Sequence, residues 1–193
     1  GSASSILVFN YTVQASDISS DLDYSSTTAL TLAGATIRDT ALNNATLTLA
    51  TPGSAGSLGN SKAIVIDGNP PNITNVSSNL ANGSYATGQV VDVRVTFDES
   101  VTVASGTPEI TLETGTTDRL ALYVSGSGSS ILIFNYTVQS GDNNTDLDYV
   151  TTTALALNGS TIRDAMSINA VLTLSAPGAA NSLGNNKNNL IDG

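Results

Sequence analysis

VVDVRVTF, residues 90–97, sets Val91, Val93 and Val95 on one side of an extended chain and Asp92, Arg94 and Thr96 on the other. A period of two is the mark of a half-buried β-strand, because successive side chains of a strand point to opposite faces. The pattern recurs on both sides of this stretch. EITLET (109–114), RLALYV (119–124), ILIFNYTV (131–138), TALALN (153–158), TIRD (161–164) and VLTL (171–174) are short apolar runs separated by Gly, Ser, Asn and Asp clusters. No window keeps an i, i+3, i+4, i+7 apolar stripe for three turns, so no helix is expected. Seven or so strands within 100–125 residues predict an all-β fold, an antiparallel sandwich.

A second pattern organises the chain. GSASSILVFNYTVQ (1–14) returns as GSGSSILIFNYTVQ (126–139), and SLGNSKAIVIDG (57–68) returns as SLGNNKNNLIDG (182–193). The offset is 125 throughout, and 43 of the 68 aligned positions are identical without a gap. Composition alone does not produce such a match. Residues 69–125 have no second copy, so the expected organisation is a carboxyl-terminal half-unit, 1–68, followed by a whole unit, 69–193. IDGNPPNITNV (66–76) carries the Asp-Gly and Asn-Pro-Pro punctuation of a boundary.

The composition excludes several functions. The chain has 193 residues, six Lys plus Arg, sixteen Asp plus Glu, no His, no Cys and a formal net charge of −10. Imidazole bases, thiol nucleophiles and disulfides are therefore ruled out. So few cations build no basic face for nucleic acid. No apolar run approaches the roughly 20 residues that span a bilayer, so membrane insertion is not expected. A nucleophile–base constellation is missing too, and the chain reads as a non-enzyme.

NPPNITNVSS (69–78), VVDVRVTFDESVTV (90–103), GTPEITLETG (106–115), YTVQSGD (136–142), TIRDA (161–165) and LIDG (190–193) resemble the tandem bacterial Ig-like (cadherin-like) repeats of giant adhesin and biofilm proteins. The resemblance covers 69–193 and, through the internal repeat, 1–68. It implies Ig-like β-sandwiches in tandem, an extracellular or cell-surface location and a spacer-rod role. It also implies calcium at or near the domain junctions.

The residues themselves offer two candidate cation sites. Asp17, Asp21 and Asp23 recur as Asp142, Asp146 and Asp148, and grouped carboxylates invite calcium, which takes six to eight oxygen ligands. The bland alternative is a set of solvated loop carboxylates forming Asx turns. Asp67 and Asn69 in the linker, with Asp98 and Glu99 beyond it, form the second set, against the reading of a plain turn and a strand end. Asp39 and Asp164 in the TIRD runs are expected to seed turns by accepting backbone N–H groups. Lys62 and Lys187 read as surface lysines.

A half-unit with a 125-residue period would expose an inner sheet face and open strand edges. One reading is an arbitrary cut through a long array. The other is completion in trans by other copies of the chain, giving a filament. The expected partners are thus neighbouring repeats, with other chains as the filament alternative. A binding module for a glycan or protein is the competing function.

Overall fold

The computed structural model describes residues 4–193, so the first three residues of the 1–68 half-unit lie outside it. The chain divides into two compact units, Gly1–Asn69 (unit 1) and Pro70–Gly193 (unit 2). The described residues are all-β in character, with strands far outnumbering the two helical turns.

Unit 1 contains β1 (Ile18–Ser19), the single turn α1 (Leu58–Ser61) and β2 (Ile66–Asp67). β1 and β2 pair antiparallel, with Ile18 opposite Asp67. Ser57 caps α1, its hydroxyl accepting from the Asn60 N–H at 3.2 Å. The expected strand at 6–13 has no ladder here.

Unit 2 contains β3 (Ile73–Ser77), β4 (Gly83–Ala86), β5 (Val90–Ala104), β6 (Glu109–Glu113), β7 (Arg119–Ser125), β8 (Ser129–Thr137), β9 (Asn143–Asn144), β10 (Asp148–Tyr149), β11 (Leu155–Ala156), β12 (Thr161–Arg163), the turn α2 (Leu183–Asn186) and β13 (Asn189–Asp192). An eight-stranded sheet runs in the order β10-β6-β7-β8-β5-β12, with β11 also on β6 and β3 also on β5. A second sheet, β4-β13-β9, joins β13 parallel to β4 and antiparallel to β9. Every pairing in the larger sheet is antiparallel.

The alternation in VVDVRVTF is realised in β5. Val91, Val93, Val95 and Phe97 are buried while the intervening residues are not. Their partners on β8 complete the layer, with Val91 opposite Tyr136, Val93 opposite Phe134 and Val95 opposite Leu132. Ile191 of the smaller sheet joins the same core.

Two sequence expectations change. VLTL (171–174) forms no strand and holds one parallel bridge, Asn72 to Val171. No helix is expected from the periodicity, yet SLGN (57–60) and its repeat mate (182–185) open single helical turns, with Lys62 and Lys187 as C-caps. The Ser at each N-cap supplies the missing acceptor for the first turn, a signal that a three-turn periodicity search passes over. Among the described residues no helix is long and apolar enough to cross a membrane.

Candidate functional site

The duplicated Asp motif is best followed in unit 2. Gly141 turns the chain after β8 with φ +89°, and Asp142 drops beneath the turn at 1% exposure. Its carboxylate accepts from the Tyr136 hydroxyl, from the Gln139 N–H at 2.9 Å and from the Arg119 guanidinium at 2.8 Å. Burial alone would push the pKa of this group up, but those three donors outweigh it and hold the carboxyl below its ordinary range. The phenol of Tyr136 is pushed far up, by burial first and then by its bond to Asp142. The closing IDG belongs to the same knot. The Gly193 N–H donates to the Asp142 carbonyl at 2.8 Å, and a Cβ at Gly193 would overlap the Gln139 carbonyl oxygen. Gly68 meets Gln14 in the same way in unit 1. That close approach, more than a flexible turn, is what the Asp-Gly pair requires.

Asp148 faces another loop. It takes the Tyr149 N–H and the Gly178 N–H, both at 2.9 Å. Asp146 accepts from the backbone of Asn189, and its carboxyl is raised, by burial first and by the charge of Asp148 as well. Unit 1 repeats the arrangement. Asp17 accepts from the Tyr11 hydroxyl and from the Gln14 N–H at 2.7 Å, Asp21 from the Ile64 N–H at 3.3 Å, and Asp23 from the Tyr24 and Gly53 N–H groups.

Among the described residues, the hydrogen bonds of these two triads run to internal N–H and O–H donors on different loops, and Asp142 is paired with the Arg119 guanidinium. What they do chemically is satisfy backbone donors at the ends of strands. The second candidate set is divided between the units. Asp67 accepts from the Asn69 N–H at 3.1 Å in unit 1, while Asp98 in β5 takes the Asn72 N–H at 2.8 Å. Glu99 follows it in β5 and brings a carboxylate oxygen within 4.8 Å of one on Asp164.

Asp164 is the residue that sequence reasoning assigned only to a turn. Its Oδ1 does accept the Ile168 N–H at 2.8 Å. Its Oδ2 is buried and finds no partner among the described residues. In unit 1 the equivalent oxygen of Asp39 accepts from the Asn43 side chain at 2.9 Å. Position 168 is Ile where position 43 is Asn, and that single difference leaves the oxygen orphaned. The comparison of repeat copies contained this signal. A buried oxygen without a partner among the described residues, beside a second carboxylate, is a place that could hold a cation.

The remaining site is apolar. Unit 1 contains an open groove of about 500 Å³ lined by Phe9, Tyr24, Ala29, Leu30, Leu49 and Leu58, together with Thr31. Ahead of it, Ile6, Val8 and Phe9 are 67%, 73% and 72% exposed. Runs of apolar side chains this exposed mark interaction surfaces. No family model matches the chain, and no curated protein or solved structure is significantly similar to it.

Proposed function

We propose that the chain is a structural segment of an extracellular adhesin or fibre on the cell surface, built of Ig-like β-sandwich repeats in tandem and acting as a spacer rod. The observation that carries this reading is the gapless 125-residue repeat, identical at 43 of 68 positions. Near-interchangeable units suit a part that sets reach, because each repeat stacks on its neighbours and adds a fixed length. Mechanical work needs no reacting groups, and the acidic side chains are largely occupied with internal hydrogen bonds. The immediate partners in this reading are neighbouring repeats.

Calcium enters the proposal at one place. Glu99 and Asp164 would provide carboxylate oxygens to a divalent cation, which would neutralise two like charges held close together. The rod reading is tested by small-angle scattering on arrays of one, two and four 125-residue repeats. The maximum dimension is expected to rise linearly with repeat number. A dimension growing only as the cube root of mass would refute it.

A further inference from the structure

We infer that unit 1 is an open acceptor whose occupant is a second copy of the half-unit 70–125 of this same chain. The inference rests on the repeat reading above and adds the identity of the occupant. It starts from a contrast between two nearly identical sequences. Phe9, Tyr11 and Leu7 are 72%, 54% and 44% exposed, whereas their repeat mates Phe134, Tyr136 and Leu132 are 0%, 1% and 0% exposed. The six apolar residues lining the groove are the same amino acids, 125 positions on, as Phe134, Tyr149, Ala154, Leu155, Leu174 and Leu183. All six of those belong to the core of unit 2. The groove is therefore a core with half of its side chains missing.

Unit 2 identifies what fills that half. β8 lies between β5 and β7, both contributed by residues 70–125. Val93 and Tyr123 stand opposite Phe134. Ile110 stands opposite Leu155, and Leu112 opposite Tyr149. Among the described residues, 6–13 form no ladder, although ILVFNYTV differs from ILIFNYTV at one position; what β8 has and 6–13 lack here is a pair of flanking strands.

Charge points the same way. Asp142 receives Arg119 from the 70–125 half-unit, while no cation pairs with Asp17 among the described residues. A second half-unit would bring an arginine to Asp17 in the position that Arg119 takes at Asp142.

The acceptor is also preformed. The Tyr24 hydroxyl reaches the Ala50 carbonyl at 2.8 Å, as the Tyr149 hydroxyl reaches Ser175 at 2.7 Å. The Gly53 N–H bonds Asp23 at 3.0 Å, as the Gly178 N–H bonds Asp148 at 2.9 Å. Binding would thus order little beyond 4–14.

Exchange between copies of the 193-residue chain does not supply the occupant. Residues 1–193 hold one donor half, 70–125, and two acceptors, 1–68 and 126–193. A donor given to a neighbour's unit 1 uncovers its own unit 2, so polymerising by exchange exposes as much core as it covers. The occupant has to be an additional copy.

The test compares the 193-residue chain with an extended chain carrying a second copy of 70–125 joined directly to Gly1, the bond by which Ser125 meets Gly126. Amide hydrogen exchange is read over residues 5–13. The extension is expected to slow these amides at least about 100-fold, as ladder hydrogen bonds form. The same extension with Val93→Asp and Ile110→Asp in the added copy is expected to leave them fast while 130–138 stays protected. Residues 5–13 remaining fast in the unmutated extension, with 130–138 protected, would overturn the inference. So would a monomeric 193-residue chain that already protects 5–13 as well as 130–138. The rod reading fails separately, on the scattering dimension of the arrays, whatever the exchange result.

Discussion

Asn189 offers the sharpest stability test. It lies on β13, on the same face as the buried Ile191, and is 0% exposed. Its backbone is engaged, the carbonyl accepting the Leu147 N–H at 2.8 Å. Neither Oδ1 nor Nδ2 of its side chain has a hydrogen-bond partner among the described residues. An unsatisfied buried polar group costs about 1–3 kcal/mol relative to an apolar one of the same shape. The other repeat carries Ile64 at this position. Asn189→Ile removes the unmet amide and adds roughly 0.8 kcal/mol for each extra buried methylene. Extra bulk in a packed core subtracts about 1 kcal/mol or more. The net expectation is a gain of about 1–2 kcal/mol, or about 4–8 °C in Tm for a unit of this size. Asn189→Val, with less bulk to fit, should gain a similar amount. Urea unfolding followed by circular dichroism should move the midpoint of unit 2 up by about 1 M with an unchanged slope. If both variants lower the midpoint, the amide must be satisfied in solution, and the reasoning from the bare side chain is refuted.

Four other outcomes are expected. Phe134→Ala should cost about 3–5 kcal/mol by leaving a cavity in the core, whereas Phe9→Ala, the same substitution in the other repeat, should change urea stability by less than about 0.5 kcal/mol. Asp142→Asn should cost about 2 kcal/mol at pH 7 by weakening charged hydrogen bonds from Arg119 and Tyr136. The wild-type carboxyl is lowered on folding, so its contribution is present above the unfolded value near 3.8 and is lost as pH falls through the folded value. A pH titration of Tm should therefore show an acid-side fall in wild type that flattens in Asp142→Asn. Asp146 has the opposite sign, because its folded value is raised, and Asp146→Asn should leave Tm at pH 7 unchanged or slightly higher. Finally, calcium at 100 times its dissociation constant should stabilise unit 2 by about 2.7 kcal/mol, and EDTA or Asp164→Asn should abolish that gain. An EDTA-insensitive melting curve would remove calcium from the proposal.

The period-two runs identified most of the long strands, because a strand with one buried face writes its alternation directly into the chain. β5 and β8 were legible for that reason. The two-residue strands β9 and β10 were not, since two positions carry no period, whereas β11 falls within the TALALN run. The Asp motif was legible as a repeated feature but not in its role. Spacing set the carboxylates near one another in sequence, while the donors that occupy them, such as Arg119 and the Gly178 N–H, come from 23 and 30 residues away. Asp164 and Asn189 could have been found from the sequence. Each stands out only on comparing the copies, where Asn43 becomes Ile168 and Ile64 becomes Asn189, changes that leave a buried polar atom unmatched.

The two copies separate what a sequence specifies from what its surroundings supply. Turns, caps and local acceptors recur in both. The Tyr24 and Tyr149 bonds agree to within 0.1 Å, and Ser57 and Ser182 cap their helices alike. These are interactions within a half-unit, and its residues suffice for them. Core burial and the pairing of the long strands do not recur, although the short β1–β2 ladder returns as β9–β13. Phe9 and Phe134 sit in eight-residue runs that differ at one position, ILVFNYTV and ILIFNYTV, yet differ by 72 percentage points in exposure, because burial needs the opposing layer. The hydrophobic effect rewards area removed from water, and each half-unit supplies only one side of that area. Local structure in this chain is thus a property of 68 residues, whereas stability is a property of 125.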